Sequence, residues 1–151
     1  MTPHDVELET ILIVEDNVDD YEATVRSFKK SHLQNPVRWC KNGEEALNYL
    51  YRTGPYENDD SVLKPCLVLL DLNMPGLDGR KVLERMKSEK DTTNIPVIVL
   101  TTSSDEIDIN KCYELGASTY IQKPVGFEGL LKAAEQIKNY WFGLALLPNR
   151  S

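Results

Sequence analysis

Short runs of consecutive apolar residues alternate along this chain with segments whose apolar positions recur every three or four residues. Ile11-Leu12-Ile13-Val14 is continuous and largely β-branched, the pattern of a strand buried on both faces. Behind it Val18, Tyr21, Val25 and Phe28 return at helical spacing until about His32. Pro36 leads into a second strand, Val37-Arg38-Trp39-Cys40. Asn42, with Glu45 three positions on, forms a capping box for a helix whose inner face is Ala46, Leu47, Leu50 and Tyr51. The stretch from Thr53 to Lys64 holds Gly, Pro, Asn and two Asp and predicts an exposed loop.

The second half repeats the alternation. Cys66 to Leu70 is the most apolar strand and ends at Asp71, followed by an Asn73-Met74-Pro75-Gly76 turn. Asp78 caps a helix facing inward through Val82, Leu83 and Met86. Ile95 to Leu100 predicts a fourth strand, and Ser103 with Glu106 a capping box opening a helix that stops at a glycine, Gly116. Ser118 to Gln122 is a fifth, weaker strand, and Phe127, Leu130, Leu131, Ala134, Ile137 and Trp141 mark a last amphipathic helix. Strands and helices in strict alternation predict a doubly wound α/β fold: five parallel strands with five helices on the two faces. In such sheets ligands bind beyond the carboxyl ends of the strands, where the strand order reverses.

Composition narrows the function. With 17 basic against 24 acidic residues the net charge is −7, so the chain lacks the basic stripe that neutralises phosphates, and direct nucleic-acid binding is not expected. No apolar run approaches the roughly 20 residues of a membrane span, and no basic-then-apolar leader opens the sequence. The expectation is a cytoplasmic protein that does not enter membranes. Cys40, Cys66 and Cys112 are odd in number and widely spaced, which suits buried thiols in a reducing compartment.

Four strand ends carry polar groups: Glu15-Asp16, Asp71, Thr101-Thr102, and Lys123-Pro124 after the fifth strand. Singly each has an ordinary explanation as a cap, an Asx-turn, a β-branched strand end or a surface lysine. A parallel sheet brings all four to one edge. Three carboxylates there repel one another and raise their own pKa values unless a cation sits among them. Carboxylate oxygens without His or Cys select Mg²⁺, and a carboxylate can accept a phosphoryl group as an acyl phosphate. A lysine and a hydroxyl facing the new group supply charge neutralisation and positioning. The cluster reads as Mg²⁺-assisted aspartyl phosphorylation.

Four blocks carry a resemblance: Ile13-Val14-Glu15-Asp16-Asn17, Leu70 to Gly79, Pro96 to Thr101, and Gly116 to Pro124. In this order they resemble the signature blocks of two-component response-regulator receiver domains, over about residues 10 to 142. The resemblance implies the flavodoxin-like receiver fold, with Asp71 as phospho-acceptor. It implies Glu15 and Asp16 as the acidic pair, Asp16 the direct Mg²⁺ ligand, and Asn73 completing the metal site with its backbone carbonyl. Thr101 matches the hydroxyl that moves to the phosphoryl group, Lys123 the lysine that pairs with it, Tyr120 the aromatic that swings with Thr101, and Pro124 a proline usually preceded by a cis peptide. Thr102 stands where the family usually has a smaller residue. Asn73 and Ser103 occupy variable positions that tune dephosphorylation in the family. The implied partner is a sensor histidine kinase.

Past the last helix, Tyr140 to Pro148 is more apolar than a frayed end, which predicts an apolar tail over 143–151. It either completes the monomer core or forms a homodimer interface through Trp141, Phe142, Leu144 and Leu147. The Trp-Phe…Leu-Pro ending, the long loop and the Leu-Thr-Thr-Ser block resemble single-domain regulators of phytochrome histidine kinases, which implies output by protein–protein contacts. Two alternatives keep the chemistry: a relay shuttle to a histidine phosphotransfer protein, and a Mg²⁺-dependent phosphatase with an aspartyl intermediate. Against the second, Asp71 is followed by Leu72-Asn73 where such enzymes place a second acid.

Overall fold

The apolar runs become strands because each can bury alternate side chains on opposite faces of one sheet. The computed structural model describes residues 9–102, 105–124 and 126–144, with residues 143 and 144 described by backbone alone. Strands β1 (Ile11–Val14), β2 (Val37–Cys40), β3 (Leu67–Leu70), β4 (Val97–Thr101) and β5 (Thr119–Gln122) alternate with α1 (Val18–Lys30), α2 (Gly43–Tyr51), α3 (Gly79–Ser88), α4 (Glu106–Glu114) and α5 (Phe127–Asn139). The sheet is parallel throughout, in the order β2-β1-β3-β4-β5. The chain therefore reverses direction across the sheet between β1 and β3, and that switch point opens at their carboxyl ends.

Two cores follow from the strand alternation. On one face Leu12, Val14, Val68, Leu70, Val97 and Val99 meet Ala46 and Tyr49 of α2, Val82, Leu83 and Met86 of α3, and Cys112 of α4. On the other, Ile11, Ile13, Leu67, Leu69 and Ile98 meet Phe28 of α1 and Ala134 and Ile137 of α5. All three cysteines are free and buried, as expected, and burial pushes the Cys40 thiol up to about 12. Among the described residues no helix is long and apolar enough to cross a membrane.

The helix ends confirm most of the local reading and change part of it. Asn42 accepts the Glu45 N–H at 2.7 Å and Asp78 accepts the Arg80 N–H at 2.8 Å. Gly116 sits at φ +108°, with its own N–H on the Tyr113 carbonyl and the Ala117 N–H on the Cys112 carbonyl, a Schellman end for α4. The start of α4 differs from expectation. Its cap is Asp105, whose carboxylate accepts the Ile107 N–H at 2.9 Å, while Ser103 lies outside the described residues. The 53–64 loop contains one 3₁₀ turn, Gly54–Tyr56. The last helix ends at Asn139 and passes into a π-helical turn, Tyr140–Leu144.

Of the tail residues, Trp141 and Phe142 are half-buried against the core formed with α1 and α5. Leu144 is described by backbone only, and Leu147 lies outside the described residues.

Leu83 is fully buried between α3 and the sheet. Leu83→Ala should cost about 2–5 kcal/mol in urea unfolding, through lost burial and the cavity left behind. A change below about 1 kcal/mol would mean that this face is not tightly packed.

Candidate functional site

Each candidate side chain sits where a strand stops. The sheet hydrogen bonding continues one step past the apolar runs: the Glu15 N–H donates to the Cys40 carbonyl, the Asp71 N–H to the Val14 carbonyl, and the Lys123 N–H to the Thr101 carbonyl. Trp39 adds a further tether, its indole N–H donating to the Glu15 carbonyl at 2.7 Å while its ring stacks on Tyr21 at 4.1 Å. The start of α3 closes in from the other side. A Cβ on Gly79 would press on the Asp71 carbonyl oxygen and lie 2.8 Å from the Leu72 Cα, so only glycine lets this helix approach the strand end.

The sequence-predicted residues meet. Glu15, Asp16 and Asp71 offer carboxylate oxygens all within 4.8 Å of one another, Glu15 and Asp71 buried and Asp16 exposed. Thr101 is fully buried beside them. The Lys123 ammonium reaches Glu15 Oε1 at 2.7 Å and Asp71 Oδ2 at 3.4 Å. The cation that three crowded carboxylates demand is thus supplied in part by the chain itself. The all-oxygen donor set, buried on one side and open at Asp16, also fits a hard divalent cation that retains water.

Other contacts were not foreseen. Asp20, an acid in the first turn of α1 where the helix dipole favours it, also pairs with Lys123 at 2.9 Å. The Asn73 side-chain amide donates to Thr101 Oγ1 at 3.0 Å, and the Asn73 N–H to Asp71 Oδ1 at 3.2 Å. The sequence signal for Asp20 is its place one helical turn beyond Asp16. Tyr120 is half-buried against the core of the α2–α3–α4 face, its N–H bonded to the Tyr113 hydroxyl. Thr102 is exposed. The Lys123–Pro124 peptide is not cis; no cis bond occurs among the described residues, and trans is the lower-energy form for an X–Pro bond.

The electrostatics reflect this crowding. Burial raises the Glu15 carboxyl, helped by the neighbouring Asp71 charge and opposed by Lys123, to about 7. Burial alone would lower Lys123, but its bonds to Glu15 and Asp20 outweigh that and hold it above the usual lysine value, so it stays charged.

An open parallel sheet with an acidic switch point, a buried hydroxyl and a lysine is the architecture of a receiver module. The chain belongs to the response regulator receiver domain family, whose sequence model matches residues 11–135. Response regulator Rcp1 of Synechocystis sp. is 37% identical over 138 residues, 91% of this chain and 92% of its own length. The probable methanogenesis regulatory protein FilR2 of Methanothrix harundinacea is 38% identical over 133 residues, 88% of this chain and 83% of its own. The crystal structure of the phosphorylated cyanobacterial phytochrome response regulator RcpA superposes with a TM-score of 0.86 at 37% identity, covering 94% of this chain and 99% of its own. The Mn²⁺-bound form of Rcp1 gives 0.85 at 36% identity, covering 93% and 99%.

Because the folded protein holds the Glu15 proton more tightly than the unfolded chain does, the stability from this group is full below about 4.5 and is lost as pH rises through about 7. In chelator, wild type should lose thermal stability relative to Glu15→Gln between about pH 5 and about pH 8. Parallel curves for the two proteins would show that Glu15 does not titrate in this window.

Proposed function

We propose that this response regulator accepts a phosphoryl group from a sensor histidine kinase on Asp71 and signals through protein–protein contacts. The observation that carries the reading is the meeting, at one sheet edge, of the buried Asp71 carboxylate with two further carboxylates, an ammonium at 3.4 Å and the buried Thr101 hydroxyl. In the transfer an Asp71 carboxylate oxygen attacks phosphorus, the P–N bond of the donor phosphohistidine breaks, and its electron pair returns to the imidazole. Hydrolysis replaces the Asp71 oxygen by water and restores the carboxylate.

Glu15, Asp16 and Asp71, with the Asn73 backbone carbonyl, would hold Mg²⁺, which when bound supplies neutralisation of the phosphoryl oxygens. Asn73 fixes Asp71 through its N–H, leaving Asp71 Oδ2 on the Lys123 side. Lys123 balances the negative charge that arrives with the phosphoryl group. Thr101, whose hydroxyl oxygen accepts from the Asn73 amide, then donates its own O–H to a phosphoryl oxygen, and Tyr120, on the neighbouring strand, adjusts with it. A switch of this kind shifts the population of two arrangements rather than building a new one.

Phytochrome-type pairing of the kinase is supported by RcpA, a phytochrome response regulator of the same family and fold. The family match over residues 11–135 supports a receiver over residues 10–142, and 143–151 is read as an attached apolar element. We take the partner of this end to be a second copy of the chain. Tyr140 stands 55% exposed at the rim of an open groove of about 450 Å³ that Ile121, Ile137 and Trp141 line, while Trp141 and Phe142 brace the segment against its own core. The three buried free thiols support a cytoplasmic setting. The hydrolase alternative gains nothing from the site: Asn73 stands at the second-acid position, its amide already donating to Thr101. No observation favours a relay shuttle.

Incubation with Mg²⁺ and a small acyl-phosphate donor, read by intact mass, should give one phosphoryl adduct on wild type and none on Asp71→Asn. An adduct of equal yield on Asp71→Asn would overturn the assignment of Asp71.

A further inference from the structure

Lys123 has three N–H donors and three carboxylates around them: Glu15 Oε1 at 2.7 Å, Asp20 Oδ2 at 2.9 Å and Asp71 Oδ2 at 3.4 Å. Asp20 differs from the other two. Its side chain is 48% exposed where those of Glu15 and Asp71 are 7% exposed, so it lies on the solvent side of the ammonium. Its backbone is fixed, because the Asp20 N–H donates to the Asn17 side chain that caps α1. The longest of the three contacts is the one to Asp71, the group that needs the ammonium once a phosphoryl is attached. Three carboxylates contact this one ammonium, and a fourth, Asp16, lies within 4.8 Å of those of Glu15 and Asp71. An anionic donor approaches an overall negative mouth.

We propose that Asp20 is a positioning residue that restrains Lys123 at the mouth of the site, drawing the ammonium away from Asp71 and so limiting the rate of phosphoryl uptake. This rests on the reading of Asp71 as phospho-acceptor. Asp20 acts through Lys123: it competes for the same donors, and each increment of pairing with Asp20 leaves less of the ammonium for Asp71 and for the incoming phosphoryl oxygens. Loss of the Asp20 charge releases the ammonium inward.

The experiment uses the full chain with Mg²⁺ and acetyl phosphate, following the adduct by intact mass for wild type, Asp20→Asn and Asp20→Glu, each also combined with Lys123→Ala. In parallel, the Lys123 side-chain ¹⁵Nζ resonance is recorded without donor. Asp20→Asn should speed uptake at least threefold, Asp20→Glu should return the rate toward wild type, and in the Lys123→Ala background the Asp20 substitutions should change the rate by less than about 1.5-fold. The ¹⁵Nζ resonance should move in Asp20→Asn. Unchanged or slower uptake in Asp20→Asn would overturn the proposal. So would a threefold gain that persists without Lys123, since that would be simple charge repulsion of the donor. If wild type takes up no phosphoryl group, the reading of Asp71 fails on its own, and the ¹⁵Nζ resonance still decides: no shift in Asp20→Asn would overturn the pairing.

Discussion

The site depends on one ammonium held among carboxylates at the edge of a parallel sheet. Glu15 and Asp71 are buried because the strand hydrogen bonding runs one residue past the apolar segments and carries both acids inward. Two buried carboxylates so close together repel, and isolating either from water is costly. Lys123, brought from the far side of β4 by the β4–β5 pairing, offsets that cost. Remove the sheet and the acids scatter; remove the ammonium and the sheet edge carries uncompensated charge. Fold and chemistry share this constraint.

On the proposed reading, the same geometry serves as a switch. The Thr101 hydroxyl is fully buried and its oxygen accepts from the Asn73 amide, which orients the group whose O–H would donate to a phosphoryl oxygen. Both partners lie at strand ends, Asn73 just past β3 and Thr101 closing β4, where backbone adjustment disturbs little of either core. Arg80 ties the start of α3 to α4 through a two-pronged pair with Asp108, at 2.7 and 3.1 Å. On that reading, movement at the end of β4 would meet an α4 anchored to its neighbour and take the form of an exchange between packed arrangements rather than a gradual drift.

Much of this was legible in the sequence because it depends on short-range rules. The five strands follow from apolar runs, the Asn42 and Asp78 caps from side chains that can reach their own helix, and the end of α4 from a glycine that tolerates positive φ. The carboxylate cluster was legible because topology alone brings strand ends together. What escaped is long-range or degenerate. Ser103 and Asp105 are both good capping residues two positions apart, and residue type does not choose between them. Asp20 looks like any first-turn acid, since its partner lies 103 residues away. The Asn73–Thr101 bond spans 28 residues and needs the β3–β4 register to be known. The tether from the Trp39 indole to the Glu15 carbonyl likewise follows only from the β1–β2 pairing.

The central claim is that Lys123 is the counter-ion on which the buried acids depend. The most direct test is a double-mutant cycle in chelator, comparing the urea unfolding of wild type, Lys123→Met, Glu15→Gln and the double variant. Lys123→Met should lose about 3–5 kcal/mol, the usual cost of orphaning a buried charge, and much of that loss should return when Glu15→Gln is added. Losses that simply add, or a Lys123→Met protein as stable as wild type, would contradict the account.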